Sequence, residues 1–145
     1  MQVSNLLNTK GRTVVSIARN TTIEDAVKIL AEHKIGAMPV LDSAGEPAGI
    51  ISERDIIRAL AQDGAKAVGK TVDEWMTHRI VTCKVDDSVA DVIELMKKHK
   101  FRHLPVRSND GLAGMISMRD VATIRLFELE MENETLRELL GADAA

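Results

Sequence analysis

The sequence predicts an α/β fold of the α+β type: two copies of a β-α-β-β-α unit packed through their sheets with pseudo-twofold symmetry, followed by a C-terminal helix. Residues 14–60 align with residues 80–125, and the heptapeptide GIISERD at 49–55 returns as GMISMRD at 114–120, identical at five of seven positions. Self-similarity of this kind indicates repeats of one structural unit. A single unit is too small to bury a stable core, so the two copies are expected to pack together.

The order of elements is read from each copy in turn. A short apolar strand is expected at 14–17 and again at 80–85. Thr22 and Ser88 each precede an Asp by three residues, the spacing of a helix cap. Apolar residues at helical spacing follow each cap: Ile23, Ala26, Val27 and Leu30 in the first copy, and Val89, Val92, Ile93 and Met96 in the second.

Two strands joined by a turn come next, and a second helix closes each copy. The strands are GAMPVL and AGII in the first copy and RHLPVR and AGMI in the second, and the closing helices are expected to open at Ser52 and Ser117. Val72, Trp75 and Met76 predict a short helix in the connector, with Trp75 packed on the core rather than stacked on a ligand. The expected segments are an N-terminal segment packing on the pair (1–13), the first repeat (14–60), the connector (61–79), the second repeat (80–125), and a C-terminal helix and tail (126–145).

Composition narrows the class of protein. The chain has 145 residues, of which 45% are hydrophobic and 28% charged, as in an ordinary globular protein. Aromatic residues make up 2%, which disfavours the stacking platforms that bind single-stranded nucleic acid. A formal net charge of −3 gives no general attraction to nucleic acid or to an anionic membrane. Neither is therefore an expected partner.

Cys83 is the single cysteine, so no disulfide can form within the chain, and we expect it to be a buried strand residue. The first residues lack the apolar segment of a secretory signal, and no apolar run approaches the roughly 20 residues that cross a bilayer. The sequence therefore predicts a soluble, cytoplasmic protein.

The repeated heptapeptide has two interpretations. Its Ser and Asp, three residues apart, match a helix cap that needs no ligand. Yet Thr22/Asp25 and Ser88/Asp91 have the same spacing without the Gly and Arg that accompany the heptapeptide, and we interpret those two as caps only. A helix N-terminus and an adjacent guanidinium can bind phosphate. An Asp can accept the hydroxyls of a ribose. Gly49 and Gly114 are expected to let the backbone approach a ligand closely.

With these motifs in place, residues 1 to about 125 resemble a tandem pair of CBS domains, named after cystathionine β-synthase. The likeness is specific because an apolar-Pro-Val strand, a turn and Gly-apolar-apolar-Ser-x-x-Asp occur twice. It implies a cleft between the copies that binds an adenosine ligand: AMP first, with ADP, ATP, NAD(H) and S-adenosylmethionine as alternatives and no metal. It also implies a homodimer that regulates an unidentified protein and is not an enzyme.

The resemblance further implies two mirror-related nucleotide sites shared between the copies. One combines Ser117, Arg119 and Asp120 with Ser16 and the backbone of Ile35, Gly36 and Ala37. The other combines Ser52, Arg54 and Asp55 with Thr82 and the backbone of Phe101, Arg102 and His103. Arg102 and His103 are expected to contact phosphate, although His103 could instead be a packed, hydrogen-bonded residue. The site with Asp120 is expected to bind a charged nucleotide more tightly.

Other chemistry is poorly supported. His78, His99, His103 and Cys83 do not have the close spacing of a metal site. No phosphate-binding loop, nucleophile elbow or zinc-protease signature is present, so an enzyme is not expected.

The C-terminal helix carries a heptad seam with a polar residue, Asn133, at an a position: Ala122, Leu126, Leu129, Asn133, Leu136 and Leu140. This helix either pairs as a coiled coil or folds back on its own domain. Three functions follow from the sequence: a nucleotide-sensing regulator, a ligand-independent dimerisation scaffold that presents this helix, or nucleic-acid binding through Lys97, Lys98, Lys100 and Arg102.

Overall fold

The computed structural model describes residues 1–11 and 13–141, so the last four residues of the helix and tail expected at 126–145 lie outside this range. Six helices and six strands are present in the described residues, with a 3-10 turn at Gly64–Gly69. In chain order they are α1 Val3–Lys10, β1 Ile17–Ala18, α2 Ile23–His33, β2 Ala37–Leu41, β3 Pro47–Ser52, α3 Glu53–Asp63, α4 Val72–Trp75, β4 Cys83–Lys84, α5 Val89–His99, β5 His103–Ser108, β6 Gly111–Ser117 and α6 Met118–Leu140. The β-α-β-β-α order predicted for each repeat is confirmed.

Each repeat forms its own three-stranded sheet, β1-β2-β3 and β4-β5-β6. In both, the first pair is parallel and the second antiparallel. The two registers match: Ile17 lies beside Val40, and Cys83 lies beside Val106.

The first strand of each repeat is shorter than predicted: β1 starts at Ile17, and β4 starts at Cys83. One residue earlier, the parallel neighbours would be Pro39 and Pro105, which have no N–H to donate. Ile50, opposite Pro39, exchanges both of its backbone hydrogen bonds with Thr77 (3.0 and 2.9 Å), so the nitrogen of Pro39 faces β1. Pairing therefore stops at the proline, and the residues just before β1 and β4 belong to no strand.

The Ser/Thr-x-x-Asp motifs of the sequence form two different kinds of helix cap. At α2 and α5 the cap is one-sided within the described part of the chain: Thr22 accepts the N–H of Asp25 (3.2 Å), and Ser88 that of Asp91 (3.0 Å). At α3 and α6 the cap is reciprocal, since the carboxylates of Asp55 and Asp120 also accept the N–H of Ser52 and Ser117 (2.9 and 2.8 Å). The heptapeptide therefore acts as a capping box at both places.

Two apolar clusters form the core, one in each repeat, and each is completed by a helix from outside that repeat. Val3, Leu6 and Leu7 of α1 are buried in the cluster of the second repeat. Val72 of α4 and the following Met76 are buried in the cluster of the first, with Trp75 packed against it as predicted. Each anchoring helix precedes one repeat and packs on the other, so burial of these side chains holds the two repeats together.

The two heptapeptide glycines make room for these anchors rather than for a ligand. A Cβ atom at Gly49 would lie 2.7 Å from the carbonyl oxygen of Thr77 and 2.8 Å from the Sδ of Met76. At Gly114 it would lie 2.7 Å from a methyl carbon of Leu7. The expectation that Gly49 and Gly114 admit a ligand is therefore wrong, because the space that a side chain would need is already occupied.

Helix α6 continues without a break from the second repeat to Leu140. Its buried residue is Val121, near its start, whereas every side chain from Leu129 to Leu140 is exposed. The helix does not fold back on its own domain, which removes that alternative.

Candidate functional site

Two clefts lie between the repeats. The first cleft, of about 270 Å³, is bounded by the start of α3, the start of β5 and the connector: Gly36, Ile50, Ser52, Glu53, Arg54, Thr77, Arg79, Ile80, Val81, Lys100, Phe101, Arg102 and His103. The second cleft, of about 220 Å³, is bounded by the start of α6, the start of β2 and the chain after α1: Lys10, Gly11, Thr13, Val14, Val15, Ile35, Gly36, Ala37, Pro39, His103, Met115 and Ser117.

The two clefts are equivalent under the repeat symmetry. Ser52 of the first corresponds to Ser117 of the second, Val81 to Val15, and Phe101 to Ile35. The same local structure prepares both walls: α2 and α5 end at Lys34 and Lys100 in the left-handed conformation (φ 55° and 58°), which turns the chain into β2 and β5. The fold therefore builds one site twice.

Charge distinguishes the two sites. The first cleft carries Arg79 and Arg102, whose aligned residues in the repeat are Thr13 and Gly36, whereas His103, aligned with Ala37, lines both clefts. Arg54 and Lys100 add two more cations to the first cleft, and Glu53 is its single lining acid. An anionic ligand is therefore favoured in the first cleft.

The helix ends at the clefts are held by backbone bonds. The N–H of Glu53, at the start of α3, donates to the carbonyl of Gly36 (3.0 Å), and the N–H of Met118, at the start of α6, donates to that of Arg102 (2.8 Å). These bonds fix each helix N-terminus beside the strand that forms the cleft wall. The N-terminus is the positive end of the helix dipole.

Asp55 does not line the first cleft. It is 4% exposed, its carboxylate accepts from the backbone and hydroxyl of Ser52, and it forms an ion pair with Arg58 of the same helix. Local partners therefore satisfy this acid without a ligand.

Asp120 is engaged differently, by a residue from α1. The Nζ of Lys10 lies 2.6 Å from its carboxylate and 2.8 Å from the carbonyl of Met115. Burial acts to raise the pKa of Asp120, but the hydrogen bonds from Lys10 and Ser117 outweigh it and hold the pKa below its usual value. Asp120 is therefore an anion already paired with a lysine beside the second cleft.

His103 lines both clefts and is neutral over most of the physiological range. Burial lowers its pKa below the usual value, and the charges of Lys10 and Arg102 lower it further, against the opposing effects of Asp120 and Glu53. Its ring can donate one hydrogen bond and accept another without carrying a charge.

The structure brings together part of each predicted site. Ser52, Arg54, Arg102 and His103 meet in the first cleft, and Ser117 meets Ile35, Gly36 and Ala37 in the second. Ser16, Thr82, Asp55, Arg119 and Asp120 do not line the clefts. Val14 and Val15, and Ile80 and Val81, form the walls in place of Ser16 and Thr82, because the first strand begins later than expected.

The charges favour the opposite ranking of the two sites from the one that the sequence predicts. Arg102 lies in the cleft of Ser52 and not in that of Asp120, so the first cleft is the more cationic one. Sequence reasoning missed Arg79 and Lys10. Aligning the repeats one residue further back would have shown Arg79 opposite Thr13, whereas Lys10 reaches its place only through the docking of α1 on the second repeat.

The remaining candidates for chemistry are not supported by the geometry. Burial, the largest influence on Cys83, raises the pKa of its thiol to about 12, as expected of a core residue. Across 1–11 and 13–141, no His, Cys, Asp and Glu side chains gather in a group of three that could hold a metal ion. Over the same residues, no helix has both the length and the apolar character needed to span a membrane.

Comparison with known proteins agrees with this architecture. The family model of the CBS domain matches residues 5–62 and 72–126. CBS domain-containing protein YhcV of Bacillus subtilis is 30% identical over 121 residues, which cover 83% of this chain and 84% of YhcV. The crystal structure of the CBS-domain protein ATU1752 from Agrobacterium tumefaciens superposes with a TM-score of 0.79 at 40% identity, covering 86% of this chain and 92% of that one.

A further solved structure contains ligands. The CBS domain pair of protein MJ0100, in complex with 5′-methylthioadenosine and S-adenosyl-L-methionine, has a TM-score of 0.76 at 30% identity and covers 90% of this chain and 98% of its own. The family model matches twice, in agreement with the two three-stranded sheets and the two symmetric clefts. The chain belongs to the CBS-domain family and is a regulatory pair of CBS domains.

Proposed function

We propose that this CBS pair senses an anionic adenosine nucleotide in the first cleft and passes its occupancy to a partner protein. The observation that carries the proposal is the gathering of Arg54, Arg79 and Arg102 around Ser52 in one of two otherwise equivalent clefts. AMP is the expected ligand, and ADP, ATP and NAD(H) are the alternatives to test. The methylthioadenosine and S-adenosylmethionine bound to the CBS pair of MJ0100 support the adenosine part of this ligand, and the cations of the first cleft support its phosphate.

The first cleft offers each part of such a nucleotide a suitable environment. The N-terminus of α3 and the guanidinium groups of Arg54 and Arg102 suit a phosphate. The apolar side chains of Ile80 and Val81 suit the flat adenine base. The ring of Phe101 adds to this wall, and it is stacked with the ring of His99 at a centroid distance of 6.1 Å.

The ribose has two candidate acceptors. Asp55 would have to leave Ser52 and Arg58 before accepting ribose hydroxyls. Glu53 already lines the cleft, and its carboxylate can accept the same two hydroxyls. We assign the ribose to Glu53 in the first binding step, so Glu53→Gln is expected to weaken binding of AMP more than Asp55→Asn does.

Signal transmission follows from where the ligand sits. A nucleotide in the first cleft contacts α3 of one repeat and β5 of the other, so binding favours the relative placement of the repeats that it fits best. The ligand shifts the population only as far as its affinity differs between the two placements. The pair is proposed to act as a homodimer, with an unidentified protein reading the change.

The decisive experiment replaces the distinguishing cation with its counterpart. Arg102→Gly installs the residue of the equivalent position, Gly36, and removes a charged hydrogen-bond donor. Such bonds contribute about 1.5–3 kcal/mol, so we expect AMP affinity to fall about tenfold or more in calorimetry. At ~100 times the dissociation constant, AMP should stabilise the unaltered protein by about 2.7 kcal/mol in thermal unfolding.

Arg119→Ala is the matched control, because Arg119 occupies the place of Arg54 in the repeat but lies outside the second cleft. Its AMP affinity should equal that of the unaltered protein. If no adenosine ligand raises the unfolding temperature, the sensor proposal fails and the ligand-independent scaffold replaces it. Salt-dependent retention of RNA or DNA would instead support the nucleic-acid alternative.

A further inference from the structure

The distal part of α6 is a helix without a partner. From Leu129 to Leu140 every side chain is exposed, including Leu136 at 55% and Leu140 at 81%. A lone helical segment of this length is marginally stable in water, because helix stability in proteins comes mainly from packing. A row of exposed leucines on such a segment is typical of an interaction surface.

The exposed leucines lie on one seam. Leu126, Leu129, Asn133, Leu136 and Leu140 alternate in steps of three and four, the a and d positions of a two-stranded coiled coil. Asn133 occupies a central a position, where a polar residue favours a matching polar residue and thereby sets the register. The other large apolar side chains of this segment, such as Phe127 and Met131, lie off the seam.

The charged residues beside the seam indicate which helix can pair with it. The charged g positions are Arg125 and Glu132, the e positions are Glu130 and Arg137, and the last g position is Leu139. In a parallel, in-register pair, each g residue contacts the e residue five positions further along the other helix. Arg125 then meets Glu130 of the second copy, and Glu132 meets Arg137 of the second copy, so both charged contacts join opposite charges.

Within one chain these charged side chains form only weak ion pairs in the described residues. The Nη1 of Arg125 lies 3.5 Å from Glu128 of the same helix, a half-exposed pair that contributes little. Sequence and structure therefore leave both the apolar seam and its charged edges available to a helix of the same sequence.

We propose that α6 of two copies of this chain pairs as a parallel, in-register coiled coil over 126–140. The interface is self-complementary, with Asn133 opposite Asn133 of the second copy at its centre. This inference does not rest on nucleotide binding, and it makes α6 the element that joins two CBS pairs.

Cysteine cross-linking of the full chain tests the pairing. Leu136→Cys places a thiol at a d position, directly opposite its copy in the parallel register. Glu134→Cys places one on the outer face as the matched control. Under mild oxidation the first variant should become mostly disulfide-linked dimer, and the second should stay mostly uncrosslinked. Cys83 is 2% exposed, so the unaltered chain gives the background.

Two outcomes overturn the proposal: equal cross-linking of both variants, or no cross-linking of Leu136→Cys at concentrations where the chain sediments as a dimer. An antiparallel pair would place Leu136 opposite Leu126 of the second copy. It would therefore cross-link a mixture of Leu136→Cys and Leu126→Cys but neither variant alone.

Charge reversal tests the edges without touching the seam. In the Leu136→Cys background, Glu132→Arg sets arginine against Arg137 of the second copy and should lower the cross-linked fraction. Arg137→Glu should do the same. Both changes together restore opposite charges and should recover the cross-linking. Failure of the double variant to recover it, with α-helix content unchanged by circular dichroism, would contradict the parallel register.

Discussion

The protonation of His103 couples the stability of the fold to pH near neutrality. Its pKa in the folded protein lies below the ordinary value of 6.5, chiefly through burial, so the folded state favours the neutral ring. The stabilisation from the neutral ring is complete above the unfolded pKa and is lost as pH falls from about 6.5 toward the lowered folded value. Asp120, whose pKa is also lowered, loses its contribution only in a more acidic window, below its ordinary 3.8.

His103→Ala tests this assignment with the residue that stands at the equivalent position, Ala37. We expect the unaltered protein to lose more stability than the variant between pH 7 and 5, measured by urea unfolding at fixed ionic strength. Parallel curves for the two proteins across this range would show that His103 does not titrate as the structure indicates.

Gly49 and Gly114 show the limit of reading single residues from the sequence. Their repetition correctly marks positions where another group comes close, since a side chain at either would clash with its neighbour. The identity of that group depends on how distant segments dock. Leu7 and Met76 fill the space, and no local pattern announces that pairing.

Among the elements, α1 has a role that its length does not suggest. Its buried leucines complete the core of the second repeat, and its last residue, Lys10, reaches Asp120 and the second cleft. In the first repeat the position equivalent to Lys10 is Met76, which carries no charge. The lysine at the end of α1 therefore pairs with Asp120, the acid of the second site. This ion pair is a second difference between the two sites, besides the charges of the cleft walls.

Lys10→Met introduces the residue of the equivalent position and releases Asp120. We expect the pKa of Asp120 to rise, because its main stabilising partner is lost, and that of His103 to rise with it. Nuclear magnetic resonance titration of both side chains measures these shifts. Adenosine, which lacks a phosphate, should bind the second cleft more tightly in calorimetry, since the freed carboxylate can accept the ribose hydroxyls.

Asp120→Asn in the Lys10→Met background is the control and should remove the gain in adenosine affinity. An unchanged affinity in Lys10→Met would mean that Lys10 does not restrict the second cleft.

The elements differ in how far the sequence predicts them, for a physical reason. The caps and amphipathic faces of α2, α3, α5 and α6 are local patterns, and they appear in the structure where expected. The shortened β1 and β4 depend on prolines in neighbouring strands, and α1 depends on a surface of the second repeat. These contacts between distant segments also decide which side chains line the clefts, which is why Ser16 and Thr82 were misplaced.

At the scale of the whole molecule, the two repeats share one architecture but differ in the side chains on their cleft walls. Both repeats share the sheet register, the left-handed helix end and the capping box, and each receives one anchoring helix. The differences that matter for a ligand are concentrated at three aligned positions, where Arg79, Arg102 and His103 correspond to Thr13, Gly36 and Ala37. One CBS pair is therefore expected to bind one phosphate-bearing nucleotide tightly, in the first cleft.

Transplanting Arg79, Arg102 and His103 to the aligned positions makes this asymmetry testable. The triple variant Thr13→Arg, Gly36→Arg and Ala37→His gives three positions of the second cleft the residues that the first repeat unit lacks, two of them arginines, and a Cβ at Gly36 meets its nearest neighbour at an ordinary 3.5 Å. Because local cations concentrate an anionic ligand, calorimetry should show AMP stoichiometry rising from one toward two per chain. The reverse triple variant, Arg79→Thr, Arg102→Gly and His103→Ala, should lose the tight site. If the stoichiometry in the first variant stays at one while its unfolding temperature matches the unaltered protein, residues other than these three separate the clefts, and Lys10 is the next one to replace.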